Sequence, residues 1–144
     1  SMPKSTTFAN DILALIFNAP AIADLAENDS SSPATNLYLS LHTADPGVGG
    51  SQTNNETSYT NYARVAVARN AGGWTVASAS AANTALAQFP QCGVTGATVT
   101  HVAIGTAASG AGKVLYAGAL NASLAVSNLI QPQFGASALT VSES

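Results

Sequence analysis

The chain has 144 residues, enough for one domain, which we expect to span residues 1–144. Only 8% of its residues are charged, against roughly 25% in ordinary soluble domains, and the formal net charge is -3. Four Lys and Arg side chains are too few to follow a nucleic-acid backbone or to bind an anionic membrane, and the one cysteine, Cys92, excludes an intramolecular disulfide and a cysteine-based zinc site.

Residues 6–35 predict a helical segment followed by a loop. Apolar residues recur there at intervals of four, at Phe8, Ile12 and Ile16. Thr6 or Thr7 can cap this helix, and Pro20 can open a second short helix that runs through Leu25. The longest apolar run, residues 12–17, is too short to cross a bilayer, so we expect no membrane contact.

From Asn36 the apolar period changes to two, which is typical of a strand. Leu37, Leu39 and Leu41 alternate with other residues and should share one buried face. A polar loop follows at residues 47–58, longer than most connections in compact domains. We expect this loop to be mobile or ordered by a partner.

The remaining sequence predicts six further strands separated by Gly-rich turns. They cover residues 62–68, 74–77, 84–89, 98–105, 114–119 and 138–142. No helix-length crossover separates them, which favours antiparallel pairing. The predicted fold is mainly β, a single antiparallel, jelly-roll-like β-sandwich over residues 36–144, preceded by one or two short N-terminal helices.

The sequence contains few residues that could support enzymatic catalysis. His42 and His101 are the only histidines, and no spacing forces them to meet Asp45 or Glu56. We expect both imidazoles to be structural, hydrogen-bonded on or near the sheet surface, with a ligand or catalytic role as the alternative. Cys92 is expected to be a buried, inert thiol. No catalytic residue, metal or cofactor is therefore predicted.

Partner contacts are a better-supported expectation for a neutral surface. The candidate residues are Asn54, Asn55, Glu56, Tyr59, Tyr62 and Arg64. Arg64 and Arg69 could clamp a carboxylate of another subunit or simply be solvated at the ends of one strand, and the second interpretation is preferred. Flat aromatic faces could instead stack on sugars; these are Tyr38, Tyr59, Tyr62, Trp74 and Tyr116.

Several short motifs recur in a recognisable order after the amphipathic helix. They are Ala34-Thr35-Asn36-Leu37-Tyr38-Leu39-Ser40-Leu41-His42-Thr43-Ala44-Asp45-Pro46, Tyr62-Ala63-Arg64-Val65, Phe89-Pro90, the runs at 97–105 and 112–120, and Ala138-Leu139-Thr140-Val141. In this order the chain resembles, over residues 8–141, a family of small virion proteins of tailed phages. Members are often labelled tail-fibre-like and are similar to jelly-roll proteins that decorate phage heads as trimers. An acidic residue commonly follows the strand that matches residues 102–105, whereas this chain has Thr106-Ala107-Ala108.

The resemblance implies a non-enzymatic structural protein of the virion, assembled in the host cytoplasm. The preferred assignment is an oligomeric head-decoration protein. We expect it to be a homotrimer that contacts the major capsid protein or other virion proteins. The alternative is a tail-fibre or receptor-binding module that contacts host-surface glycans. An enzyme is the third and least favoured class.

Overall fold

A computed structural model describes residues 3–22, 25–26 and 33–144. The elements are α1 (Thr6–Phe17), β1 (Asn36–His42), β2 (Val65–Ala68), β3 (Trp74–Ala77), β4 (Ser80–Asn83), β5 (Ala87–Gln88), β6 (Ala97–Gly105), β7 (Val114–Val126), β8 (Gln133–Phe134) and β9 (Thr140–Ser142). The predicted fold class, mainly antiparallel β and consistent with a β-sandwich, is confirmed.

Contacts within the chain define two compact units. The first comprises the described residues of Ser1–Asn36 together with Val67–Ala87 and Phe134–Ser144, and the second comprises Leu37–Ala66 and Gln88–Gln133. Each unit is therefore built from segments that are distant in sequence. The single domain expected over residues 1–144 stays a prediction.

In the first unit, α1 begins at a serine cap. The Ser5 side chain accepts a hydrogen bond from the backbone N–H of Phe8, so the cap lies one residue before the predicted threonines. The buried face of the helix is Ala9, Leu13 and Phe17, one position beyond the predicted register, because Phe17 packs on Trp74 with ring centroids 4.6 Å apart. Phe8 is left 38% exposed.

Arg69 closes the other end of the helix. Its guanidinium donates to the backbone carbonyls of Leu15 at 2.5 Å and Ile16 at 2.6 Å, two of the carbonyls that a helix terminus leaves without intrahelical partners. A third bond reaches the carbonyl of Ala34 at 3.2 Å. The preferred expectation for Arg69, a solvated charge at a strand end, is therefore wrong.

The four-stranded sheet has the order β2-β1-β6-β7, with β1 and β6 antiparallel. Leu37, Leu39 and Leu41 are buried on one face of β1, as predicted. Ser40 and His42, on its other face, are also fully buried, because β1 is an inner strand covered on both sides. The expectation that His42 lies on or near the sheet surface is wrong.

Other element boundaries also differ from the predictions. A second helix is not formed at the described residues Ile22, Leu25 and Ala26, which make a tight turn with a bridge between Ile22 and Ala26; residues 23–24 lie outside the described part of the chain. The strand predicted over residues 84–89 is reduced to β5, while β4, rich in alanine and serine, was not predicted at all. The three-stranded sheet has the order β3-β4-β9.

Candidate functional site

The loop at residues 47–58 folds back along the end of β1. The backbone N–H of Thr57 donates to the carbonyl of Leu41, and that of Thr43 donates to Asn55, while His42 and Glu56 form an antiparallel bridge. The loop thus continues the hydrogen bonding of the sheet. The chain's own backbone orders it, whereas the sequence favoured mobility or ordering by a partner.

An internal ion pair fixes this loop from the side. Arg64 donates from Nε to Glu56 Oε2 at 2.7 Å and from Nη2 to Glu56 Oε1 at 2.8 Å, a bidentate pair in which the arginine side chain is only 3% exposed. The same guanidinium donates to the carbonyls of Ala107 at 2.9 Å and Gly110 at 2.7 Å. Hydrogen bonding to Glu56 raises the pKa of Arg64. Arg64 therefore joins two loops of one chain and is not the solvated charge that was preferred.

Gln52 occupies the space between these loops. Its side chain is fully buried; Nε2 donates to the carbonyl of Tyr38 at 3.2 Å, and Oε1 accepts from the backbone N–H of Ala107 at 3.1 Å. A Cβ added to Gly105 or Gly112 would overlap the end of this side chain. Glycine at both positions is thus required by close packing, since a buried amide lies where a side chain would be.

His42 is held entirely by hydrogen bonds within the chain. Nδ1 lies 2.8 Å from the carbonyl oxygen of Asn54, which can only accept, so Nδ1 carries the proton and Nε2 accepts from Ser40 Oγ at 2.8 Å. Burial lowers the pKa of His42; the nearby charge of Glu56 opposes that shift, and Arg64 and His101 add to it. A neutral imidazole with both nitrogens engaged is a structural linker between β1 and the loop.

Two tyrosines, Tyr59 and Tyr62, complete a group of buried or partly buried polar side chains that we call the polar cluster. Its other members are Ser40, His42, Gln52, Glu56 and Arg64. The hydroxyl of Tyr62 donates to Glu56 Oε2 at 2.6 Å and accepts from the backbone N–H of Leu41 at 3.2 Å. Tyr59 is 2% exposed and donates to the carbonyl of Pro90 at 2.6 Å. Burial raises the pKa of Tyr59 to about 12, and burial followed by the bond to Glu56 raises that of Tyr62. Both hydroxyls are therefore donors throughout the physiological pH range.

The six residues predicted as partner contacts thus lie in one region, but they are not equally accessible. Tyr59 is buried, and Glu56, Tyr62 and Arg64 bond to one another. The exposed members, Asn54 and Asn55, supply backbone carbonyls to His42 and Thr43. As contacts with a partner the six stay a prediction. Sequence reasoning missed Gln52 and Ser40; the glycines at 105 and 112, which lie against Gln52, were the available signal for the first, and no signal pointed to the second.

No three His, Cys, Asp or Glu residues in the described part of the chain are grouped so that they could hold a metal. His42 and His101 are directly opposite each other on β1 and β6, the convergence that a metal site would need. Nδ1 of His101 lies 2.8 Å from Thr100 Oγ1, and both ring nitrogens of His42 are engaged as described above. Within the described ranges, no helix has the length and apolarity needed to cross a membrane.

An uncovered surface of the second unit lies along β7. This strand ends the sheet and bonds to β6 on one side. Residues 117–119 and 121–125 are exposed, so neither face of the strand is covered there. No charged residue occurs between Lys113 and Glu143. The outward part of β7 is consequently an uncharged surface of mostly small side chains, together with Asn121 and the exposed apolar side chain of Leu124.

Comparison with known families accounts for nearly the whole chain. Residues 3–142 match the family described as podophage GP4 fiber I protein gp80. The chain belongs to this fiber I protein family. No curated protein matches the chain at a significant level. The resemblance to small virion proteins of tailed phages is confirmed, and the chain is a structural component of the phage virion.

The fiber I family motifs lie on the elements that build the sheet and the polar cluster. The run at 34–46 contains β1 and the turn that precedes the loop. Tyr62 and Arg64 bond to Glu56, and the run at 97–105 is β6. The motifs that carried the resemblance therefore mark the internal framework of this family member.

Proposed function

We propose that this chain is a non-enzymatic structural subunit of a podophage tail fibre, assembled in the host cytoplasm with other virion proteins and with further copies of itself. The observation that carries the proposal is the distribution of polar groups. The imidazole of His42 and the charges of Glu56 and Arg64 are bonded within the chain, whereas the accessible strand β7 is neutral. Such a surface suits repeated contact by shape and neutral hydrogen bonds.

A structural role is also favoured over glycan binding. Sugar stacking requires exposed aromatic faces, but Trp74 is fully buried and Tyr59 nearly so. Tyr62 stacks on Phe89 with ring centroids 6.3 Å apart, and its hydroxyl is bonded to Glu56. Trp74, Tyr59 and Tyr62 therefore do not present open ring faces for a sugar, so receptor binding is not part of the proposal.

Head decoration, expected first from the sequence resemblance, is the competing location. The family match names a fibre protein, which supports the tail, and no feature of the described residues favours the head. A threefold assembly likewise comes from the resemblance alone.

Separation of the particle tests the location. Purified phage are disrupted so that heads and tails sediment apart, and this chain is quantified in each fraction by mass spectrometry against the major capsid protein and a known tail protein. The proposal expects the chain to follow the tail protein in constant ratio. Recovery with the capsid protein would overturn the fibre assignment and establish head decoration in its place.

A further inference from the structure

Two segments of the second unit run side by side at the end of the sheet connections. The backbone N–H of Leu129 donates to the carbonyl of Cys92 at 2.8 Å, and the N–H of Cys92 donates to the carbonyl of Ile130 at 2.8 Å. The segments approach again at Gly96, where an added Cβ would overlap the carbonyl of Val126. They therefore form one surface between these two points.

Three large apolar side chains project from this surface. Val94 is 87% exposed, Leu129 is 68% exposed and Ile130 is 40% exposed. Val94 comes between the two points at which the segments meet, so we treat these three residues together as the apolar patch. A single exposed aliphatic side chain needs no explanation, whereas several in adjoining segments indicate a surface that another molecule covers.

Leu129 has a backbone conformation that is unfavourable for leucine. Its φ is 73°, and the N–H of Ile130 donates to the carbonyl of Ser127 at 2.9 Å, so Leu129 is the third residue of a tight turn. A positive φ at that position favours glycine or asparagine, because a Cβ is crowded there. Since Leu129 is mostly exposed, burial within its own chain does not offset the strain. Strain of this kind, at an exposed apolar residue, points to a function of the side chain.

The surrounding hydrogen bonds hold Leu129 in place. Gln91 Nε2 donates to its carbonyl at 2.9 Å, and its N–H donates to Cys92 as described above. Both backbone polar groups of this residue are thus bonded within the chain. A fixed backbone pre-organises a protruding side chain for a matching recess, whereas insertion into a bilayer needs no fixed side-chain direction.

The charges of the second unit exclude an ionic partner for this surface. The unit has two acidic and two basic side chains, which sum to zero; they are Asp45, Glu56, Arg64 and Lys113. None of them lies in the segments that carry the apolar patch. The patch therefore has no attraction for nucleic-acid phosphates or anionic lipid headgroups, and burial of apolar surface is the interaction that it can make.

We infer that the apolar patch is an anchor that inserts into an apolar recess on another virion protein. Membership of a virion protein family provides such neighbours. Three side chains cannot supply the area of about 800 Å² per partner that a stable interface buries, so the patch is the centre of a wider contact.

A second copy is a poorer occupant than a different virion protein. A twofold contact through the patch sets the same protruding side chains against each other, with no recess to receive them. The inference rests on the part of the proposed function that joins this chain to other virion proteins, and it is independent of the tail or head location.

Substitution of Leu129 by glycine separates binding from folding. Glycine suits the positive φ, so Leu129→Gly should melt about 2–4 °C above wild type. The loss of the apolar side chain should lower the number of chains per purified particle at least tenfold, measured by mass spectrometry against the major capsid protein. Each variant replaces the wild-type gene in the phage.

Two further variants control this comparison. Val94→Ser leaves the turn unchanged and should also reduce incorporation into particles. Val48→Ser is the matched control, because Val48 is a fully exposed apolar residue of the loop outside the apolar patch, and it should be incorporated as wild type.

Photo-cross-linking identifies the occupant in assembled particles. Benzoylphenylalanine replaces Val94 in one variant and Val48 in the control. The inference expects position 94 to cross-link to a virion protein other than this chain, and position 48 to give no such product. Products that join two copies of the chain, or the absence of any product from position 94, would overturn it.

Three other results also contradict the inference. Normal incorporation of Leu129→Gly would show that the leucine has no partner in the particle. A lowered melting temperature would show that the side chain serves its own fold. Flotation of wild type with phosphatidylcholine vesicles, abolished in Leu129→Gly, would assign the apolar patch to a bilayer. The sedimentation of wild-type chain with tails or heads depends on none of these results, so the two proposals fail independently.

Discussion

Gln52 fills the space above Gly105. The amide end of its buried side chain lies where a Cβ on that glycine would be, and it is held there by hydrogen bonds to the carbonyl of Tyr38 and the N–H of Ala107. A loop residue and a strand residue therefore specify each other. The polar loop is in this way part of the packed interior of its unit.

Substitution at Gly105 tests this packing. Gly105→Ala forces Gln52 away from two hydrogen-bond partners, so the free energy of unfolding should fall by about 1–3 kcal/mol. Gly118→Ala is the matched control, since its Cβ meets no neighbour, and it should change stability by at most about 0.5 kcal/mol. Urea unfolding followed by circular dichroism measures both, and equal effects would show that Gln52 moves freely.

The ion pair between Arg64 and Glu56 gives a larger expected effect. Arg64→Met leaves the half-buried carboxylate without its cation and removes donors from the carbonyls of Ala107 and Gly110, so stability should fall by about 2–4 kcal/mol. Lys113→Met, at an exposed cation, should stay within about 0.5 kcal/mol. The double variant Arg64→Met with Glu56→Gln should regain part of the loss, and strict additivity would contradict the pairing.

His42 should make stability depend on pH. The unfolded side chain takes up a proton below about pH 6.5, whereas burial lowers the folded pKa, so the stabilisation is complete above that pH and is lost as the pH falls through the folded value. The slope from this one group is at most about 1.4 kcal/mol per pH unit.

Comparison with His42→Gln isolates that contribution. The difference in free energy of unfolding between wild type and variant should shrink from about pH 7.5 to about pH 5. An unchanged difference across this range would show that the imidazole is not held neutral, and NMR titration of the ring reports the same pKa independently.

The turn between β3 and β4 can be made more stable by substitution. Ser78 and Ala79 both have positive φ, at 53° and 57°, a conformation that favours Asn-Gly in two-residue hairpin loops. Replacing them by Asn and Gly should raise the free energy of unfolding by about 0.5–1 kcal/mol. Ala85→Gly, at an exposed residue outside the left-handed region, should lower stability instead, and a gain there would refute the backbone explanation.

The sequence predicted those strands whose side chains alternate clearly. Leu37, Leu39 and Leu41 identified β1, and residues 74–77 coincide with β3. β4 was missed because alanine and serine have weak strand propensity and pair there through tertiary context. The strand predicted from residue 62 begins at Val65, because Tyr62 and Arg64 turn inward to Glu56.

Several residues of the polar cluster could be predicted from the sequence, but the contacts among them could not. Glu56, Tyr62 and Arg64 were selected as interaction residues, but nothing in their spacing shows that they bond to one another. That meeting depends on the loop returning along β1. The exposure of β7 beyond residue 119 was equally hidden, because an alternating pattern is absent there and only the sheet order reveals an open edge.

Cryo-electron microscopy of intact particles tests the central claim, that this neutral β protein is a structural subunit of the virion fibre. Gold-labelled Fab fragments against the chain identify its density. The account predicts label along the tail fibres, with density for the chain fitted to neighbouring fibre subunits. Label spread over the capsid lattice, with bare fibres, would contradict it.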